Sequence, residues 1–178
     1  MADIRQFKTN QNIQEALIKL MDTIDFDQIT VDNICKSALT SRSTFYLHYQ
    51  DKYDLINQII DKEVEHFESV IKLRINGLIS RETEETITDF YNDMQDRRLT
   101  IQVLFKTHNQ QFHLKEIFKN TLYNYWLNYL GQQTHVVPNQ LLASFSTSIV
   151  FDTLIWTFEH GKDNDVFNFV ENIRKNLI

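Results

Sequence analysis

The residues best placed to do chemistry lie between Thr30 and Tyr53, TVDNICKSALTSRSTFYLHYQDKY. Thr30, Ser41 and Asp51 are oxygen-bearing side chains set just before plausible helices, where each can satisfy backbone N–H groups orphaned at a helix start. Starts so close together define short helices. The first runs from Val31 to Ala38 with Val31, Ile34 and Ala38 on one face, and Leu39 and Thr40 make a turn. The second runs from Arg42 to about His48, with Phe45 and Tyr49 pointing inward and Arg42 and Tyr46 sharing another face. A cation followed by Ser43 and Thr44 at the head of such a helix suits contact with DNA. Arginine grips guanine or phosphate, and small hydroxyl groups donate while letting the backbone come close. Lys52 adds a cation at the start of a third helix, where the helix N-terminus already favours phosphate. The competing reading is an ordinary helical hairpin, which shares this local pattern.

In order and spacing the segment resembles the N-terminal domain of TetR-family transcriptional regulators, whose pattern is roughly T-x-x-x-I-A-x-x-A-G-V-S-x-G-T-x-Y-x-H/Y-F-x-x-K-x-x-L. Here it stands as Thr30, Ile34, Cys35, Ala38, Leu39, Thr40, Ser41, Ser43, Thr44, Tyr46, His48, Tyr49, Lys52 and Leu55. The departures are Cys35 for alanine, Leu39 for the turn glycine, Thr40 for valine and Ser43 for the second glycine. Leu39 matters most, because a turn that uses glycine for a positive φ must here change conformation or carry strain. The resemblance covers about the first third of the chain; the remainder resembles the family only in helical character and length.

That resemblance implies a homodimeric DNA-binding transcriptional regulator, a repressor released from a palindromic operator by a small-molecule or protein effector. It places Thr30, Ser41, Arg42, Ser43, Thr44, Tyr46, His48 and Lys52 at or near DNA. Arg42, Ser43 and Thr44 are expected to read or approach bases, and Tyr46, His48, Lys52 and Thr30 to fix phosphates. Leu47, one turn after Ser43, is either a contact for a thymine methyl or a plain surface leucine. Three alternatives stay open: a transcriptional activator, a helical protein-interaction module of the same fold that does not bind DNA, and a membrane-associated protein using residues 141–158.

The elements that must hold these residues are helical. Three glycines and one proline in 178 residues leave little room for sheets, and 42% hydrophobic residues recur at helical spacing, so the fold class is all-α. The expected organisation is a three-helix helix-turn-helix domain over residues 1–53. A long helix joins it to a helical regulatory and dimerisation domain over residues 54–178. A first helix from near Thr9 or Asn10 carries Ile13, Ala16, Leu17, Leu20, Met21 and Ile24, and Phe26 and Ile29 plug the bundle. The long helix opens at Asp51 and ends near Asn76 and Gly77. Further helices start at Ser80 or Thr83, around Leu99, and before Phe112, the last of these closing at Gly131.

The formal net charge of −6 argues against a protein that coats DNA non-specifically. From Lys36 to Lys52, however, Lys36, Arg42 and Lys52 stand against Asp51, a local excess of two positive charges. The single cysteine, Cys35, excludes an intramolecular disulfide and fits a reducing cytoplasm. The first residues, MADIRQFKTN, hold no apolar run of signal-peptide type.

Residues 141–158 carry one formal charge, Asp152, and approach membrane-spanning length. Asp152 and the Ser/Thr residues at 144, 146, 147 and 148 favour instead a helix buried between partners, with no membrane. The resemblance implies that residues 139–160 and 163–177 form the dimer interface, a helix pair meeting its two-fold copy. Phe67, Phe90, Tyr91, Met94, Phe105, Phe118, Tyr125, Trp126 and Asp152 are candidates to line an effector pocket, against the plainer reading that most of them are core. No glycine-rich phosphate loop or nucleophile elbow can be built, and the scattered histidines lack metal-ligand spacing. Neither enzyme, cofactor nor metal is expected.

Overall fold

The computed structural model describes residues 2–79, 83–107, 113–132 and 134–177, without the side chains of residues 2–5, 74–79, 83–88 and 174–177. Within them run α1 (Ala2–Met21), a 3-10 turn (Phe26–Gln28), α2 (Val31–Ser37), α3 (Arg42–His48), α4 (Lys52–Ile79), α5 (Thr83–Gln95), α6 (Arg98–Lys106), α7 (Leu114–Leu130), α8 (Asn139–His160) and α9 (Asn164–Leu177). No strand occurs among the described residues, and the all-α expectation holds.

The chain divides into two compact units, residues 1–63 with 99–112, and residues 64–98 with 113–178. Helix α4 contributes residues to both. In the first unit, α1 buries Ile13, Ala16 and Leu17, α2 buries Ile34 and Cys35, and α3 buries Phe45. Phe26 and Ile29 are buried beside them, as their place between helices predicts. The second unit is built on the pairing of α7 with α8. Trp126 and Leu130 near the end of α7 pack on Leu142 and Ala143 near the start of α8, so the two helices run antiparallel. Tyr91 of α5 stacks on Phe167 of α9, with ring centroids 4.8 Å apart.

Several boundaries differ from expectation. Helix α1 begins two turns before Thr9, because residues 6–12 continue the helix while burying almost nothing, so no apolar stripe marks them. It ends at Met21, which leaves Ile24 off the helix and exposed instead of completing the stripe. Helix α4 continues past Gly77 to Ile79. Phe112, expected in α7, lies outside the described residues, as does Ser80. Helix α8 is bounded as proline and glycine predict: Pro138 is its N-cap, and Gly161 closes it with φ +81°, a value that favours glycine. By length and composition α8 is apolar enough to cross a membrane, yet half of its most apolar window is buried within the chain.

Candidate nucleic-acid interface

Each element of the interface is fixed by its cap. Thr30 Oγ1 accepts from the Asn33 N–H at 3.2 Å, and Asn33 Oδ1 accepts from the Thr30 N–H at 2.9 Å, a reciprocal capping box that starts α2. The Thr30 hydroxyl also donates to Asn33 Oδ1 at 2.6 Å. Its proton is therefore engaged, and a phosphate would have to take it from Asn33. Ser41 caps α3 by accepting from the Thr44 N–H at 3.1 Å, and its hydroxyl lies 2.8 Å from both Ser43 Oγ and Thr44 Oγ1. Three hydroxyl groups at the head of α3 thus form one network. Asp51 caps α4 by accepting from the N–H groups of Tyr53 and Asp54, both at 2.8 Å.

The turn between α2 and α3 resolves the question raised by the missing glycine. Leu39 takes φ +51°, the left-handed conformation, and is the one non-glycine residue with positive φ among the described residues. The Thr40 N–H then closes the end of α2 by donating to the Cys35 carbonyl at 2.9 Å. The turn keeps the geometry glycine would give it and carries the strain of a Cβ there. The Leu39 side chain is 94% exposed.

Helix α3 is two-faced. Phe45 and Tyr49 are buried, and the Tyr49 hydroxyl donates to Asn10 Oδ1 and accepts from Gln14 Nε2, which ties α3 to α1. Burial, partly offset by these bonds, raises the Tyr49 phenol above its usual range. On the other face Arg42, Ser43, Tyr46 and Leu47 are exposed, with Thr44 and His48 half-buried. Leu47 is 83% exposed, and a shallow groove beside α3 is lined by Leu39, Thr40, Thr44, Leu47 and His48 among others. Residues expected to approach DNA on α3 therefore do share one surface. Leu39 joins them there, which its role as a turn residue did not suggest.

The structure redirects two cations. Lys52 Nζ donates to the backbone carbonyls of Phe26 at 2.8 Å, Asp27 at 3.1 Å and Ile29 at 2.8 Å, and stands 4.7 Å from the Phe26 ring centroid. An ammonium has three donors, and all of them have acceptors here. Lys52 is accordingly a clamp on the 3-10 turn, and the expected phosphate contact would require it to leave a carbonyl. Arg42 uses Nε and Nη2 to grip both carboxylate oxygens of Asp32, ten residues earlier on α2. That paired bond raises the guanidinium pKa further. With Asp32 brought against Arg42, the local positive excess falls from two to one. No rule of helical spacing links residues ten apart across a turn, so only folding reveals the pair.

The candidate effector residues fall into separate groups. Phe67, Phe90, Tyr91, Met94, Phe118 and Trp126 are buried in the second unit. Phe67 and Phe118 stack at 3.7 Å with planes 3° apart, and Phe90 sits tilted on Phe67 at 6.2 Å. These rings fill one another's space as core. Phe105 belongs to the other unit, and Tyr125 is half-buried with its phenol raised by burial. Asp152 is exposed on α8, outside the aromatic block. Among the described residues no group of three metal-ligating side chains forms a metal site.

Two short helices, α2 and α3, joined by a tight turn, with the outer face of α3 exposed, have the geometry of a helix-turn-helix. Residues 13–59 match the sequence model of a family described as bacterial regulatory proteins, tetR family. The chain is 37% identical over 49 residues to an uncharacterized HTH-type transcriptional regulator, YxbF, of Bacillus subtilis (strain 168); the match covers 28% of this chain and 13% of that protein. A TetR transcriptional regulator from Streptococcus agalactiae 2603V shares the fold with a TM-score of 0.62 at 23% identity, covering 97% of this chain and 96% of that one. A putative TetR-family regulator from Syntrophomonas wolfei does so with a TM-score of 0.66 at 14% identity, covering 95% and 94%. Residues 13–59 thus carry a helix-turn-helix sequence similar to that of the TetR family, and the fold of the chain is one that solved TetR-family structures share.

Proposed function

We propose that the chain acts in the cytoplasm as a homodimeric repressor that binds a palindromic operator and leaves it when an effector reaches the second unit. The observation that carries the reading is the two-faced α3: Phe45 and Tyr49 are locked inward, while Arg42, Ser43, Tyr46 and Leu47 face solvent. In this reading Arg42, Ser43 and Thr44 approach bases, Tyr46 and His48 hold phosphates, and Thr30, Ser41 and Lys52 build the frame that presents them.

The two-fold partner rests on α8 and α9. Leu141, Ser144, Phe145, Ser148 and Asp152 recur at helical spacing along α8 and are all exposed, and Phe169 is exposed on α9. Phe145 alone leaves 49% of its surface in solvent, and a second copy would cover this stripe. Asp152 belongs to that face in this reading, and not to an effector pocket. In this reading the small-molecule or protein effector acts on the second unit, whose Phe67 stands on the same continuous helix as Lys52.

The test is selection from a random duplex library with the purified chain, followed by affinity measured at several salt concentrations. A palindromic winner with half-sites roughly 34 to 36 Å apart and a salt slope reflecting several phosphates supports the reading. No enrichment from a folded dimer, at low salt and with cell extract added, favours an interaction module, for which the exposed Leu39 and Leu47 speak. Phe145→Asp should convert a dimer to a monomer by light scattering and abolish the preference for paired half-sites.

A further inference from the structure

Arginine presents two different edges. The Nε–Nη2 edge of Arg42 is occupied by Asp32, one N–H to each carboxylate oxygen. Because the guanidinium is planar, its Nη1–Nη2 edge then faces away from Asp32, and that edge is the fork whose spacing matches the O6 and N7 acceptors of guanine. The Arg42 side chain is 63% exposed, so the fork is open to a ligand from solvent. Asp32 is itself held in place, because it lies in the first turn of α2, which the Thr30–Asn33 capping box fixes. A free arginine at the head of a helix swivels among rotamers and takes whichever phosphate is near. One gripped along its side keeps a single orientation.

We propose that Asp32 is a positioning residue for base readout, holding Arg42 so that its free fork meets a guanine and is kept off the phosphate backbone. This rests on the DNA-binding reading and deepens it. Asp32 makes the interface selective through two physical effects: it orients the fork, and it removes one net positive charge from the sequence-independent attraction to DNA. It needs no contact with a base to do either.

The experiment uses the full chain and the duplex selected above, with guanine replaced at each half-site position in turn. Arg42→Ala should flatten the preference at one guanine, identifying its partner base. Asp32→Asn, which keeps the shape and removes the charge, should lower discrimination at that same position by about tenfold. Its affinity for random duplex should rise, and its salt dependence should steepen by about one phosphate per protomer. Adding Asp32→Asn to Arg42→Ala should change discrimination no further, and Asp32→Glu should restore part of it. Circular dichroism and the melting temperature of each variant separate these effects from misfolding. Unaltered discrimination by a folded Asp32→Asn protein overturns the proposal while leaving DNA binding intact, as does an equal loss at every position. A wild-type protein that selects no sequence overturns the DNA-binding reading and this inference with it.

Discussion

The Lys52 ammonium lies 2.8 Å from the carbonyl oxygen of Phe26 and 4.7 Å from the centroid of the same residue's ring. Backbone and ring of one buried residue thus bind the same cation from two sides, and the carbonyls of Asp27 and Ile29 complete the clamp. The 3-10 turn between α1 and α2 is held by a side chain 23 to 26 residues further along the chain.

Removing that clamp should be felt as stability more than as charge. Lys52→Ala strips a partner from each of these carbonyls and should destabilise the protein by about 2 kcal/mol, read as a lower urea midpoint. Its salt slope for DNA binding should stay near the wild-type value once the protein is folded by an osmolyte. A full drop of one phosphate in the slope with unchanged stability would return Lys52 to the DNA.

Leu39→Gly should stabilise. The leucine holds φ +51° and is 94% exposed, so glycine relieves the strain and gives up almost no burial. The expected gain is about 0.5–1 kcal/mol after glycine's greater freedom in the unfolded chain is subtracted. If Leu39 also touches DNA, the same variant will bind more weakly while melting higher.

Acid should weaken the start of α4. Asp54 accepts from the Gln50 N–H at 2.8 Å and from Gln58 Nε2 at 3.0 Å, and the first of these bonds does most to hold its carboxyl below the ordinary 3.8. A depressed carboxyl binds fewer protons folded than unfolded, so its contribution is present above the unfolded value and is lost as pH falls through the folded one. The Asp54→Asn protein should show a smaller fall in melting temperature than wild type between about pH 5 and pH 2.

Ser146→Ala should be neutral or stabilising, by up to about 1 kcal/mol. The hydroxyl is buried on α8 and has no protein partner within hydrogen-bonding reach. Its neighbour Thr147 offers the contrast, since its hydroxyl donates to the Ala143 carbonyl at 2.7 Å and its loss should leave the helix no better off. Urea unfolding of both variants makes the comparison.

What could be read from the sequence was what local chemistry carries. Thr30 and Ser41 mark helix starts because a side-chain oxygen satisfies an N–H three residues on, and α2 and α3 begin where those caps predict. Phe45 and Tyr49 were legible as an inward face by spacing alone, and Pro138 and Gly161 as the ends of α8. The early start of α1 was not, because Gln6, Phe7 and Lys8 are exposed and leave no apolar stripe. Nor were the uses of Lys52 and Arg42. Each was expected to face DNA from its type and place, but its partners in the fold are set by tertiary structure, and an ammonium bound to three carbonyls has the same sequence signature as one bound to phosphate.

Cys35 lies on α2 beneath this interface, 5% exposed, with its thiol pushed up by burial and then by the Asp32 carboxylate. Only the thiolate reacts readily, and here it must first be uncovered. The lone sulfur is therefore a built-in clock for opening of the reading head: the rate at which a thiol reagent modifies it reports how often the small helices part. Slowing of that clock by a selected duplex would measure, in the native chain and without any label, how much rigidity a bound duplex confers on these helices.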